Sequence, residues 1–458
     1  MSIKAFIAIV VCKCLRFAAR VLHRGGTAMP GEYALKICPE LLSILSKDVK
    51  TIAVTGTNGK TTSARMIEEG FASQGKSFFS NRSGANLISG ITTEFVINSS
   101  LSGKCRKEYA VIECDEAAAV KVFRQMKPKV AVVTNLFSDQ VDRFGDVTYT
   151  RSVVYEAIKG VPDTVLCLNA DCPLTASLAE GVPNRVVFYG VDKGAVVSKE
   201  KVEADDASDC MVCGSELVYD YVVYGHLGGF RCPECGFARR EPDYAVTDIL
   251  RQDMQGSTIV LSVAGEKHIM DVNLPAVYNI YNAAGAAAAI NEIGLGMDAA
   301  GAALATFKCG FGRMEQFDDL GKAGAKMMLV KNAAGCNQVI DFLGTIKEKF
   351  ALLLIINNRV ADGTDISWLE DTNFEKLCDM KGTVTKIMVS GDRLEEMEAR
   401  LIRAGVDESF ISAEKDYDKL IAWTKEQEVP VLIMPTYTAM MGFREVIIRN
   451  IGGEDFWK

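Results

Sequence analysis

Two α/β domains in series, the first carrying a cysteine-rich insertion, are predicted by three observations. Continuous apolar runs alternate with helix-patterned stretches in two separate parts of the chain. A glycine loop ending in lysine follows the first strong run, and two C-x-x-C pairs interrupt the alternation between the two parts. At 458 residues the chain exceeds what one hydrophobic core usually serves. The expected divisions are a helical segment at 1–46, a nucleotide-binding domain at 47–308 with its insertion at about 205–242, and a second α/β domain at 309–458.

The N-terminal stretch "IKAFIAIVVCKCLRFAARVL" places Lys4, Lys13, Arg16 and Arg20 among apolar residues. Its apolar run is broken at Lys13, short of the roughly 20 residues that a membrane-spanning helix needs. A core-facing stripe favours a helix packed on the protein. A basic amphipathic helix resting on an anionic membrane stays open beside it.

From Lys50 to Gly190 the runs "TIAVTG", "YAVIEC", "KVAVVTN", "TVLCLNA" and "RVVFYG" are continuous rather than alternating, which suits parallel strands buried on both faces. Cysteine pairs, glycines and tyrosines replace that pattern between Asp205 and Arg240. Strand-like "STIVLSVAG" and "HIMDVNLP" come next, then helical "NIYNAAGAAAAINEIG" and "DAAGAALATF", with "KCGFGRMEQF" expected as a linker because its glycines cluster where periodicity lapses. Beyond it "AKMMLVKN", "ALLLIINN", "KIMVSGD" and "VLIMPTY" alternate with helical stretches, giving a second, Rossmann-like domain.

Charge and composition narrow the function. With 51 basic and 59 acidic residues, the net charge of -8 argues against a dedicated nucleic-acid binder. The 14 cysteines are scattered apart from the paired set, and no secretory cleavage pattern precedes them, so a reducing cytoplasm is the expected setting. The three histidines, His23, His226 and His268, lie in no catalytic motif.

In "TGTNGKTT" the backbone N–H groups of Gly56, Thr57, Asn58, Gly59 and Lys60 would curl around phosphate oxygens at a helix N-terminus, where the dipole favours anions. Lys60 would reach the terminal phosphates of ATP; Thr61, followed by Thr62, is placed to offer a hydroxyl to Mg²⁺. Val54 occupies the first glycine position of the general motif, so the flanking strand and helix carry the reading. Glu113, at the carboxyl end of "YAVIEC", is the candidate Mg²⁺ carboxylate, with Asp115 and Glu116 beside it as a solvated acidic turn.

Cys210, Cys213, Cys232 and Cys235 form two knuckles 18 residues apart, a spacing that lets four thiolates close a tetrahedron around Zn²⁺, with Gly214 and Gly236 relaxing the turns. Such a site has no open coordination position, so its expected role is to hold a small ribbon together.

The segments "TGTNGKTT", "TNLFSDQVDRFG", "LNADCP" and "YNIYNAA", in that order over about residues 48–315, resemble the Mur ligase superfamily. The resemblance implies a central P-loop ATPase domain that phosphorylates a substrate carboxylate with ATP so that an amine can displace the phosphate. It carries the phosphate loop onto Gly56, Asn58, Gly59, Lys60 and Thr61, the metal carboxylate onto Glu113, and adenine-side asparagines onto Asn279 and Asn282. It also carries a nucleotide and metal region onto Asn135 and Asp139, and a hinge arginine onto Arg313. Gln140 stands where amino-acid-adding members carry histidine, and an amide is a poorer metal ligand than imidazole.

With "NRSGANLISGIT", the cysteine insertion, "GRMEQF" and "ADGTDISWLED" included, the chain is similar to the branch of that superfamily that amidates lipid II with a GatD-like glutaminase as partner. The acidic cluster Asp362, Asp365, Glu370 and Asp371 reads by composition as a solvated loop. The resemblance singles out Asp365 as the acid that completes the partner's Cys/His site, while Cys336 is expected to be packed between strand and helix. What it implies is ATP-dependent conversion of D-glutamate in the lipid II stem peptide to D-isoglutamine, at the inner face of the membrane. An amino-acid- or polyglutamate-adding ligase without a glutaminase is the alternative enzyme, and a nucleotide-binding zinc-ribbon scaffold the non-enzymatic one.

Overall fold

The computed structural model describes residues 1–22, 26–82, 84–138, 147–196, 207–307 and 313–452. They divide into two units: one of Met1–Arg251, Ser257–Asn273 and Tyr278–Phe307, the other of Gln252–Gly256, Leu274–Val277 and Lys308–Lys458.

The first unit is built on a nine-stranded sheet of order β11-β10-β9-β6-β5-β4-β1-β3-β2. Its members are β1 (Lys50–Thr55), β2 (Phe78–Ser80), β3 (Tyr109–Glu113), β4 (Val130–Val133), β5 (Val165–Asn169), β6 (Val186–Val191), β9 (Tyr244–Gln252), β10 (Ser257–Val263) and β11 (Glu266–Val272). The five apolar runs between Lys50 and Gly190 are β1, β3, β4, β5 and β6, and all pair in parallel. Strand β1 lies between β3 and β4, third from one edge, with every residue after Lys50 buried, so its carboxyl end opens inside the sheet. Ligands of open α/β sheets gather at such ends.

Helices α1 (Ile3–Val21), α2 (Met29–Ile37) and α3 (Leu41–Ser46) join that unit's core: Ala5, Ala8, Ile9 and Cys12 pack with Leu41, Leu42, Leu45, Ile91 and Phe95. Among the described residues, no helix is long and apolar enough to cross a membrane. Helices α4 (Lys60–Ser73), α5 (Ile88–Ile97), α6 (Ala119–Met126), α7 (Val147–Lys159) and the single turn α8 (Pro173–Ala176) connect the parallel strands. The hairpin of β7 (Val218–Tyr224) and β8 (Leu227–Arg231) falls in the cysteine insertion. The alanine-rich stretches are α9 (Val277–Glu292) and α10 (Met297–Thr306).

The second unit holds a six-stranded sheet of order β12-β13-β17-β14-β15-β16, made of β12 (Arg313–Phe317), β13 (Ala325–Met328), β14 (Phe350–Ile355), β15 (Val384–Ser390), β16 (Ile411–Ala413) and β17 (Val431–Pro435). Helices α11 (Ala333–Thr345), α12 (Leu394–Arg403), α13 (Tyr417–Glu426) and α14 (Tyr437–Ile451) accompany it. The expected linker "KCGFGRMEQF" is corrected here, since its second half is the antiparallel edge strand β12. Glu315 in that strand pairs with Arg444 of α14 at 2.9 Å, both nearly buried, a tertiary contact that local periodicity does not announce.

Candidate functional site

Strand β1 runs directly into the glycine loop and α4 leaves it, the arrangement that aims free helix N–H groups at an anion. Gly56 and Gly59 have φ of +119° and +86°. A Cβ on Gly59 would stand 2.0 Å from Asn282 Oδ1, and one on Gly56 2.3 Å from Thr134 Oγ1. Only glycine satisfies both conformation and space at these two positions.

The loop is fastened from outside. The Asn58 amide donates to Asn135 Oδ1 at 3.0 Å while Asn135 Nδ2 donates back to the Asn58 carbonyl at 3.2 Å. Thr57 N donates to the Asn135 carbonyl, and Thr57 Oγ1 accepts from Phe137 N at 3.0 Å. These partners occupy the polar groups of Thr57 and Asn135 with holding the loop's shape. Asn282 and Asn279, both buried on α9, bond each other at 3.2 Å; Ser63 Oγ of α4 also reaches Asn282 Oδ1, at 3.5 Å. Thr62 is buried in the first turn of α4.

At the rim, Thr61 Oγ1 donates to Glu113 Oε2 at 2.6 Å, so the hydroxyl and carboxylate proposed for one metal ion converge. Asn81, buried, fixes the main chain at Glu113 by accepting from its N–H at 2.9 Å and donating to its carbonyl at 2.8 Å. Lys60 Nζ lies 3.1 Å from Glu116 Oε1, with both side chains 13% exposed. Glu116 therefore belongs to the site, which corrects its reading as part of a solvated turn. Asn81, Glu116 and Ser63 were not legible as site residues because their roles come from segments distant in sequence; the one signal was that Asn81 opens "NRSGANLISGIT" and Glu116 closes "VIECDE". Asp139 and Gln140 lie outside the described residues, as does the side chain of Arg313 at the start of β12.

The four insertion cysteines form one cluster, their sulfur atoms within 4.8 Å of one another. Cys210 and Cys235 sulfurs are 3.6 Å apart, Cys213 and Cys232 sulfurs 3.5 Å. A Zn–S bond of about 2.3 Å sets tetrahedral sulfurs about 3.8 Å apart, so this donor set fits zinc. Each knuckle closes on a glycine at positive φ, Gly214 at +79° and Gly236 at +76°, whose N–H donates to the carbonyl of Cys210 or Cys232. Hydrogen bonds from Ser215 pull the Cys213 thiol down, while burial pushes that of Cys210 up.

A buried ionic contact ties the ribbon to the nucleotide side of the unit. Arg239, four residues past the last cysteine, donates to Asp171 Oδ1 at 2.6 Å; Tyr281 of α9 and the Val191 amide donate to Asp171 Oδ2 at 2.6 and 2.8 Å. Burial pushes the Asp171 carboxyl up, and Arg239, Tyr281 and Val191 act against it. Asp171 and Tyr281 sit in the quoted "LNADCP" and "YNIYNAA", but their meeting with Arg239 is a product of the fold.

In the second unit the loop after β14 separates its acids by role. Asp362 is buried and accepts from Arg359 N at 3.0 Å and Thr438 N at 2.6 Å, pinning the loop to α14. Glu370 pairs with Arg403. Asp365 is exposed and, among the described residues, accepts from Ser367 alone, through its N–H and its hydroxyl, both at 2.8 Å; these bonds hold its carboxyl below the usual range. Cys336 is buried on α11, and burial pushes its thiol up to about 12.

Residues 54–226 match the family described as Mur ligase middle domain, and residues 329–440 the one described as MurT ligase C-terminal. The chain is 30% identical, over 448 residues and 98% of both chains, to the lipid II isoglutaminyl synthase (glutamine-hydrolyzing) subunit MurT of Streptococcus pneumoniae. It is 32% identical to the subunit of the same name from Staphylococcus aureus, over 97% of this chain and 98% of the other. The chain belongs to the MurT family. The fold is shared with a pseudomurein peptide ligase type C from Methanothermus fervidus, at TM-score 0.63 and 20% identity over 88% of this chain and 79% of that one. It is shared also with MurF from Acinetobacter baumannii, at TM-score 0.66 and 15% identity over 92% of this chain and 80% of that one. MurT-family membership spans both units and includes the acidic loop after β14, which lies inside the C-terminal match.

Proposed function

We propose that this chain is the ATP-using subunit of a lipid II isoglutaminyl synthase. It amidates the α-carboxylate of D-glutamate in the stem peptide to D-isoglutamine through an acyl phosphate, with ammonia supplied by a GatD-like glutaminase. The observation that carries the reading is a complete, fastened phosphate loop with Thr61 2.6 Å from Glu113, in a chain about a third identical throughout to subunits of that name.

The chemistry asks the protein for position and charge. A carboxylate oxygen of the acceptor attacks the γ-phosphorus of ATP, ADP leaves, and an acyl phosphate results; with the Thr57 and Asn58 amides turned to Asn135, the amides at the start of α4 and the Lys60 side chain stabilise the charge on the transferring group. Thr61 and Glu113 would hold Mg²⁺, which neutralises phosphate charge when bound. Ammonia then attacks the carbonyl carbon, phosphate leaves with one former carboxylate oxygen, and the extra proton passes to solvent. The four cysteines would hold Zn²⁺ as a structural ion. Asp365 would orient and charge-stabilise the histidine of the partner's nucleophilic site, a role an exposed carboxylate can fill from a neighbouring chain.

The test is formation of amidated lipid II by this chain with its glutaminase, ATP and glutamine, with ammonium chloride as a second nitrogen source. Amide product from both sources is expected. ADP formed without amide from either source would reject the proposal.

A further inference from the structure

Helix α1 has two apolar faces, and among the described residues only one is packed. Ala5, Ala8, Ile9, Cys12 and Ala19 are buried in the core of the first unit. On the opposite side Ile3, Phe6, Ile7, Phe17 and Val21 recur at helical spacing and stay exposed, Ile3 at 80% and Phe17 at 70%. Over 19 residues this stripe is about 28 Å long. Exposed apolar surface of that continuity on an otherwise polar protein marks a place where something docks.

Charge indicates the occupant. The chain carries a net charge of -8, yet no acidic residue precedes Glu32. Lys4 and Arg20 are exposed on the flanks of the stripe. The loop from Ser100 to Lys107 packs beside the helix: a Cβ on Gly103 would lie 2.9 Å from Met1 Sδ and 3.8 Å from Ile9 Cδ1 of the packed face, and Lys13 Nζ donates to the neighbouring Ser99 carbonyl at 2.7 Å. That loop adds exposed Leu101, Lys104 and Arg106. Of the acids around it, Glu32 pairs with Lys36, Glu108 pairs with Lys50, and Glu94 of α5 is half-buried beside Arg16. An apolar strip bordered by cations is the pattern of a helix lying in the interface of an anionic bilayer.

We propose that the outer face of α1, flanked by Lys4 and Arg20, seats this protein on the surface of an anionic lipid bilayer. The helix lies in the plane of the interface, its buried face still packed on the protein. This stands apart from the amidation reading, because it needs only lipid of the right charge.

Vesicle co-sedimentation of the full chain tests it, with vesicles of phosphatidylcholine alone or mixed with phosphatidylglycerol and containing no lipid II. Binding to the anionic vesicles is expected to exceed binding to neutral ones by about tenfold or more, and to fall with added salt. Ile7→Glu with Phe17→Glu should reduce it by at least about tenfold, with the melting temperature and ATP binding unchanged. Lys4→Glu with Arg20→Glu should remove the preference for anionic lipid. Equal binding by the wild-type chain and the Ile7/Phe17 variant, or no binding at all, would overturn the proposal. So would a glutaminase complex that ignores vesicles but falls apart in the Ile7/Phe17 variant, since the stripe would then be a protein interface.

Discussion

Two carboxylates in this molecule each accept a hydrogen bond from a hydroxyl, and they are held in opposite ways. Glu113 takes its bond from Thr61, 52 residues away, and its main chain is clamped by Asn81, so two segments distant in sequence hold it in place. Asp365 takes both its bonds from Ser367, two residues on, and stands in solvent. A group fixed by distant segments is in place whenever the unit is folded. A group held only by its own turn is presented outward, and its use depends on what meets it. The first arrangement suits chemistry done inside the chain, the second chemistry completed with another chain.

The comparison breaks most sharply if the two sites are disabled in turn. Lys60→Ala is expected to abolish amide formation from glutamine and from ammonium alike, a loss on the order of 10³-fold or more in turnover of the complex. Asp365→Asn should lower glutamine-driven amidation to a similar degree yet leave ammonium-driven amidation and ATP binding near wild type. If ammonium fails to rescue the Asp365 variant, the division of labour is wrong.

A smaller effect sharpens the structural half. Arg239→Ala leaves Asp171 buried without its cation, which costs about 3–5 kcal/mol by analogy with broken buried pairs, read as a fall in melting temperature of several degrees. Chelation of zinc should act in the same direction through the ribbon that carries Arg239. Least affected should be Ser367→Ala, which loses only the hydroxyl bond to an exposed carboxylate, worth about 1 kcal/mol or less, keeps the backbone N–H bond, and leaves the melting temperature unchanged within error. A large destabilisation there would show that the turn is structural and not a presented acid.

Much of this was legible beforehand because the signals are local. A buried strand, two glycines and a lysine announce the phosphate loop, and Gly56 and Gly59 prove to have no room for a Cβ. Paired cysteines announce the ribbon, whose knuckle glycines do take positive φ. What stayed hidden depends on residues distant in sequence. Asn81 under Glu113, Glu116 against Lys60, and Asp171 between Arg239 and Tyr281 are polar residues whose partners are chosen by sheet order and helix placement. Strand β12 reads as a linker in the sequence because a five-residue edge strand beside a glycine cluster has too little periodicity to register. The packed helix expected at α1 is observed, and the side turned away from the core keeps apolar residues exposed.

The most direct measurement follows oxygen. Lipid II carrying ¹⁸O in the α-carboxylate of its D-glutamate is incubated with the complex, ATP and glutamine, and the released orthophosphate is analysed by mass. Activation by phosphorylation predicts one labelled oxygen in phosphate for each amide formed. Amide produced with unlabelled phosphate would contradict it.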